Sequence, residues 1–99
     1  MNGVSHDPTG KPAGPQRQER LRALLVAALA PLELDIQDDS AQHAGHAGAR
    51  EGGHFRVRIV SERFAGMPVR ERHRLVYAAV ADLMGAGIHA LSIDARVPR

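Results

Sequence analysis

The sequence predicts an α+β domain with the element order α-β-β-α-β, a three-stranded mixed sheet and both helices packed on one face of that sheet. Two stretches carry apolar residues at helical spacing, and three short stretches alternate apolar with polar residues. The 99 residues are enough for one domain with one core. Since a helix lies between the second and third strands, these strands should run parallel, whereas the first two should pair antiparallel.

Each predicted helix has one apolar stripe and a recognisable end. The first is expected over residues 16–30, ended by Pro31, and the second over residues 69–84, capped by Gly85 and Gly87. The stripe of the first helix consists of Leu21, Leu24, Leu25, Ala28 and Leu29. That of the second consists of Val69, Val76, Tyr77, Val80, Leu83 and Met84.

The strands are predicted over residues 32–37, 55–60 and 91–95. In the first, Leu32, Leu34 and Ile36 should face the core; in the second, Phe55, Val57 and Ile59. The acidic residues of the first strand should then meet Arg56 and Arg58 of the second on the outer face. Residues 61–68 are expected to form a turn.

Composition excludes several classes of protein. With no cysteine in the chain, neither a disulfide scaffold nor a thiolate ligand is available. No apolar run is long enough to span a bilayer, so we expect no membrane association and a cytoplasmic location. No triad, carboxylate pair or phosphate loop is recognisable, and we expect no catalysis. Residues 1–14 are expected to be a flexible tail, and residues 15–99 the folded domain.

Histidines are the most informative polar residues. His43 and His46 lie in a glycine-rich segment between the first two strands, which is long for a compact domain. His89 lies where the third strand starts. Parallel pairing would bring His89 to the sheet edge that this segment leaves and re-enters, where these imidazoles could bind a metal or a cluster iron. Two histidines leave a coordination sphere incomplete, so a partner would supply the rest. His54 is either a further ligand or a packing residue; solvated, incidental histidines are the alternative for the whole group.

Four segments resemble the BolA family over residues 16–98. They are DDSAQHAGHAG, HFRVRIVSERFAG, RHRLVYAAV and GIHALSIDARVP, in the family's order and spacing. The resemblance implies a fold similar to the class II KH fold, which has the same α-β-β-α-β order. Residues 15–99 would then be a BolA-like domain.

The resemblance also implies a partner and a cofactor. BolA-like proteins pair with monothiol glutaredoxins and share a [2Fe–2S] cluster held by the glutaredoxin cysteine, glutathione and histidines of the BolA-like protein. The histidine of the HAL motif is His89 here. The segment ligand would be His43, with His46 as the alternative. Such a protein would serve cluster trafficking or assembly, or iron sensing, and would be a monomer or weak homodimer when alone.

Family members are also described as transcriptional regulators. The helix after the F-x-G turn and the flanks of that helix would face DNA, and this region holds four arginines: Arg63, Arg70, Arg72 and Arg74. Glu62 and Glu71 interrupt this basic run, so a solvated basic face is the alternative. A third hypothesis is an adaptor domain whose histidines have no role.

Overall fold

The computed structural model describes residues 14–39 and 53–99, and the order of their elements is the predicted one. The bounds are α1 Gly14–Leu29, β1 Glu33–Asp38, β2 Gly53–Val60, α2 Val69–Ala79 and β3 Ile88–Arg96. Two short 3-10 helices, Glu62–Phe64 and Ala81–Leu83, precede and follow α2. The α+β class is therefore confirmed.

The sheet has the strand order β1-β2-β3, with β1 antiparallel and β3 parallel to β2. This confirms the mixed sheet. Phe55, Val57 and Ile59 of the central strand are buried against the helices, because alternate side chains of a strand point to the same face. Leu21 and Leu25 of α1 are fully buried in the same core. One face of the sheet thus carries the helices.

The first helix begins at Gly14, two residues before the predicted start. It ends at Leu29 because Ala30 has a φ of 44°, in the left-handed region that stops an α-helix. Residues 1–13 of the predicted tail lie outside the described residues, and the division into tail and domain stays a prediction. Neither described helix combines the length and apolar character that crossing a bilayer requires.

The prediction of one continuous second helix to residue 84 is wrong. The α-helix stops at Ala79, since Val80 has φ −112° and ψ 18° and its N–H contacts several carbonyls of the last turn. The chain then tightens into the 3-10 helix before Gly85. Val80 and Leu83 are buried as predicted, but Val69 is 57% and Tyr77 39% exposed. The Tyr77 hydroxyl donates to the carbonyl of Leu91, which keeps that ring at the edge of β3 and not in the core.

The predicted cross-strand ion pairs on the outer face are confirmed for Arg58, whereas Arg56 pairs with Asp39, just after β1. Arg58 contacts Glu33 at 3.0 Å and Asp35 at 3.2 Å, across the β1–β2 pair. The hydrogen bond to Glu33 raises the pKa of the Arg58 guanidinium. Leu32 is 61% exposed, so its assignment to the core was wrong: it precedes β1 and does not share the alternation of that strand.

Candidate functional site

His89 lies in an irregularity of the sheet. Gly53 of β2 pairs with Ile88, but the next residue of β2, His54, pairs with Ala90. His89 is therefore the extra residue of a β-bulge at the start of β3, with its side chain exposed. A bulge changes the direction of the side chain at the inserted residue, and such irregularities are frequent next to functional sites.

The bulge brings His89 beside His54. The centroids of the two imidazole rings are 5.1 Å apart, and the ring planes are tilted by 46°. His54 is half-buried, and its Nε2 atom is inaccessible to solvent, whereas His89 is exposed. One imidazole is thus held against the sheet, and the other lies at its surface.

The end of β1 is tied to the start of β2 at this position. The N–H of Asp39 donates to the carbonyl of His54 at 2.7 Å, and the Asp39 carboxylate contacts Arg56 at 3.1 Å. On the other side of β2, the Gly53 N–H donates to the carbonyl of Gly87 at 2.9 Å. The segment between residues 39 and 53 consequently leaves and re-enters the sheet next to the two imidazoles.

His43 and His46, the predicted ligands of that segment, lie outside the described residues. The predicted topology that would bring the segment to the edge carrying His89 is confirmed by the parallel β2–β3 pair and by the position of Asp39 and Gly53. Whether either histidine contacts His89 stays a prediction.

Among residues 14–39 and 53–99, no three side chains of the His, Cys, Asp or Glu type come together in a way that could hold a metal ion. The imidazoles of His54 and His89 are the nitrogen donors that lie side by side. Tetrahedral iron or zinc needs four ligands. The donor set of the described residues therefore suits a site that other ligands complete.

The four arginines of the predicted DNA-binding surface differ in their surroundings. Arg72 is half-buried and donates to the carbonyls of Met67 and Ala95, at 2.9 and 3.0 Å. Arg74 is exposed and lies 3.5 Å from Glu71 on the same helix. Arg63 and Arg70 are exposed, and no carboxylate among the described residues pairs with them.

The arginines and the imidazoles lie toward opposite ends of the sheet. Arg63 follows the end of β2, whereas His54 is near its beginning; Arg72 contacts Ala95 near the end of β3, whereas His89 is near its beginning. At a rise of about 3.3 Å per residue, six residues of strand separate the two regions by roughly 20 Å. A single ion or small molecule could therefore not contact both regions.

His54 is the site residue that sequence reasoning underrated. Its strand position indicated the outer face, since it alternates with the buried Phe55, but its contact with His89 depends on the bulge. Without the bulge, in a regular parallel register, the side chains of His54 and His89 would lie at different positions relative to each other. The period-2 pattern of β3 contains no signal for an inserted residue at this point.

The family model described as BolA-like protein matches residues 25–99. Among solved structures, the chain is similar to the BolA domain of SufE1 from Arabidopsis thaliana, with 48% identity and a TM-score of 0.74 over 83% of this chain and 92% of that one. Protein BOLA1, chloroplastic, from the same organism is 44% identical over 95% of this chain. A protein of Escherichia coli named DNA-binding transcriptional regulator BolA is 37% identical over 77% of this chain and 70% of its own length.

The chain spans only part of the curated relatives that it matches. It covers 62% of Protein BOLA1, and 24% of the Arabidopsis protein named SufE-like protein 1, chloroplastic/mitochondrial. The similarity therefore concerns only part of the length of these relatives.

Proposed function

Because this chain belongs to the BolA-like protein family, we propose that it binds a monothiol glutaredoxin and shares a [2Fe–2S] cluster with it through histidine ligands. The observation that supports this most directly is the exposed imidazole of His89, turned by a bulge onto the edge where the segment bearing His43 and His46 leaves and re-enters the sheet. An exposed ligand can reach an iron that another protein also binds. Catalysis has no part in this proposal.

The incomplete donor set supports the sharing of ligands. The chain has no cysteine, so every thiolate of such a centre comes from the glutaredoxin and glutathione. His89 supplies one imidazole; the second comes from His43 or, as the alternative, His46. In this proposal the residues of the chain bind and orient the cluster, and the cluster itself supplies the electron-transfer chemistry.

Histidine ligands favour transfer of the cluster. A neutral imidazole donates less charge to iron than a thiolate does, so a histidine-ligated iron has a higher reduction potential. The proposed role is therefore cluster trafficking or assembly, or iron sensing, in which a cluster held by two proteins is passed on or lost.

The experiment mixes the full chain with a cluster-loaded monothiol glutaredoxin and records visible absorption and circular dichroism. We expect the glutaredoxin spectrum to change on mixing, and His89→Ala to abolish that change. His73→Ala is the matched control, because His73 is a half-buried histidine on α2 and not at the sheet edge. Spectra of His89→Ala that match those of the unaltered protein would reject the ligand assignment. His43→Ala and His46→Ala, measured separately, identify the second ligand.

DNA binding is the second candidate function. The exposed arginines Arg63 and Arg70, without carboxylate partners among the described residues, favour it, as does the name of the Escherichia coli relative. Such cations release counterions when they contact phosphates, which makes affinity depend steeply on salt.

The DNA hypothesis is tested by fluorescence anisotropy on duplex DNA at several salt concentrations. Arg70→Ala is expected to lower the slope of log K against log salt by about one unit if the guanidinium contacts a phosphate. Arg72→Ala is unsuitable for this purpose, since its guanidinium holds backbone carbonyls. Weak binding with an unchanged slope for both Arg63→Ala and Arg70→Ala would exclude this surface.

A further inference from the structure

We propose that His54 and His89 form a two-imidazole chelate that binds one divalent transition-metal ion, such as Zn²⁺, in the absence of any partner protein. The metal would take one nitrogen from each ring, and water would complete its coordination. This inference does not depend on the shared cluster, because it concerns a mononuclear ion and the isolated chain.

The distance between the rings agrees with such a chelate. A zinc–nitrogen bond is about 2.0–2.1 Å long, and the ring centroid lies about 1.1 Å behind the nitrogen, so each centroid would be roughly 3.2 Å from the ion. At a tetrahedral angle of about 109°, two such centroids are about 5.2 Å apart. The observed separation is 5.1 Å. The separation of the two rings is therefore the one that such a chelate requires.

The backbone fixes the two residues relative to each other. His54 and Ala90 are register partners, and the bulge places His89 directly before this pair. The partial burial of His54 limits its rotamers, which lowers the entropy lost on binding. The exposure of His89 leaves a route for the ion from solvent, and the ring of His54 has to turn to present a nitrogen to it, because its Nε2 atom is inaccessible to solvent in this structure.

The ion pair next to His54 along β2 does not oppose a cation. Arg56 is the closest cationic residue along β2, and its guanidinium contacts Asp39 at 3.1 Å. The pair is neutral overall, so the ion would meet no uncompensated positive charge from it. Imidazole is a common ligand of zinc, copper and nickel, which indicates the class of ion.

A ring contact that serves only packing is the competing explanation. In that case the two histidines would behave independently toward zinc. In a chelate, by contrast, removal of one imidazole weakens the binding of the ion to the other. This dependence separates the two explanations without any measurement of function.

The test is a Zn²⁺ titration of the untagged full chain, followed by NMR of the imidazole nitrogens. We expect the His54 and His89 signals to shift together, with one apparent affinity and a 1:1 ratio, while His73 stays unchanged. In His89→Gln, the zinc concentration needed to shift the His54 signal should rise by about tenfold or more. His89 is exposed, so this variant is expected to fold; His54→Gln, checked by thermal denaturation, gives the reciprocal result.

The double variant His43→Gln/His46→Gln is the second control. We expect it to retain the joint shift of His54 and His89. A His54 shift that is unaffected by His89→Gln would overturn the chelate, as would loss of the joint shift in the double variant. No glutaredoxin is present in these experiments, so their failure and the failure of the shared-cluster proposal can be told apart.

Discussion

Replacement of Arg72 by alanine is expected to lower the stability of the fold by about 2 kcal/mol. The half-buried guanidinium donates to the carbonyl of Met67, in the turn before α2, and to that of Ala95, in β3. Hydrogen bonds from charged donors contribute about 1.5–3 kcal/mol each when well enclosed. Partial exposure reduces this to roughly 1 kcal/mol per bond. The side chain thus holds turn, helix and strand together.

For a domain of this size, a loss of about 2 kcal/mol lowers the melting temperature by about 8–16 °C. The measurement is urea and thermal denaturation followed by far-UV circular dichroism. Arg74→Ala is the matched control: this arginine on the same helix is exposed and lies 3.5 Å from Glu71, so about 0.5 kcal/mol or less is expected.

Arg72→Lys tests the geometric part of the reasoning. Lysine keeps the charge but has no planar fork to reach two carbonyls, so this variant should lose a large part of the same stability. An Arg72→Ala variant as stable as Arg74→Ala would refute the structural role. Arg72 would then be available for phosphate contacts after all.

Three further predictions concern smaller interactions. Ser61→Ala should destabilise the fold by about 1–2 kcal/mol in urea denaturation. The buried hydroxyl of Ser61 donates to the carbonyl of Leu29 at 2.6 Å and accepts from a backbone N–H of the following turn. A variant as stable as the unaltered protein would contradict this. Ala30→Gly should raise the free energy of unfolding by about 0.5–1 kcal/mol, since a φ of 44° strains alanine but not glycine; a lower midpoint in the same assay would show that the strain is absent. The hydrogen bond from Arg96 lowers the pKa of Asp94 below its usual value, so this pair stabilises the fold above the unfolded pKa, and that contribution is lost as the pH falls through the folded pKa. The difference in stability between the unaltered protein and Asp94→Asn should therefore be small at pH 7, as the pair is exposed, and should vanish once the pH falls below the folded pKa of Asp94; a difference that grows on acidification would disagree with the assigned sign.

The local patterns of the sequence determined the order of the elements and the buried face of the central strand. The alternation of Phe55, Val57 and Ile59 with arginines predicted both faces of β2, because the side-chain period of a strand is two. The helix between β2 and β3 predicted the parallel pair, since a parallel connection must cross over the sheet. The motifs around His89 predicted the family, which the match over residues 25–99 confirms.

Long-range hydrogen bonds decided what these patterns could not. The bulge that brings His89 within 5.1 Å of His54 is a property of two strands paired together, and neither strand alone encodes it. Arg72 and Tyr77 each donate to a carbonyl of β3 that is 14 or more residues away in the chain, so a basic or aromatic residue on α2 could not be classified from its neighbours. The composition of the chain determined which side-chain atoms can act as metal ligands. Tertiary contacts decided which of those atoms lie close together among the described residues.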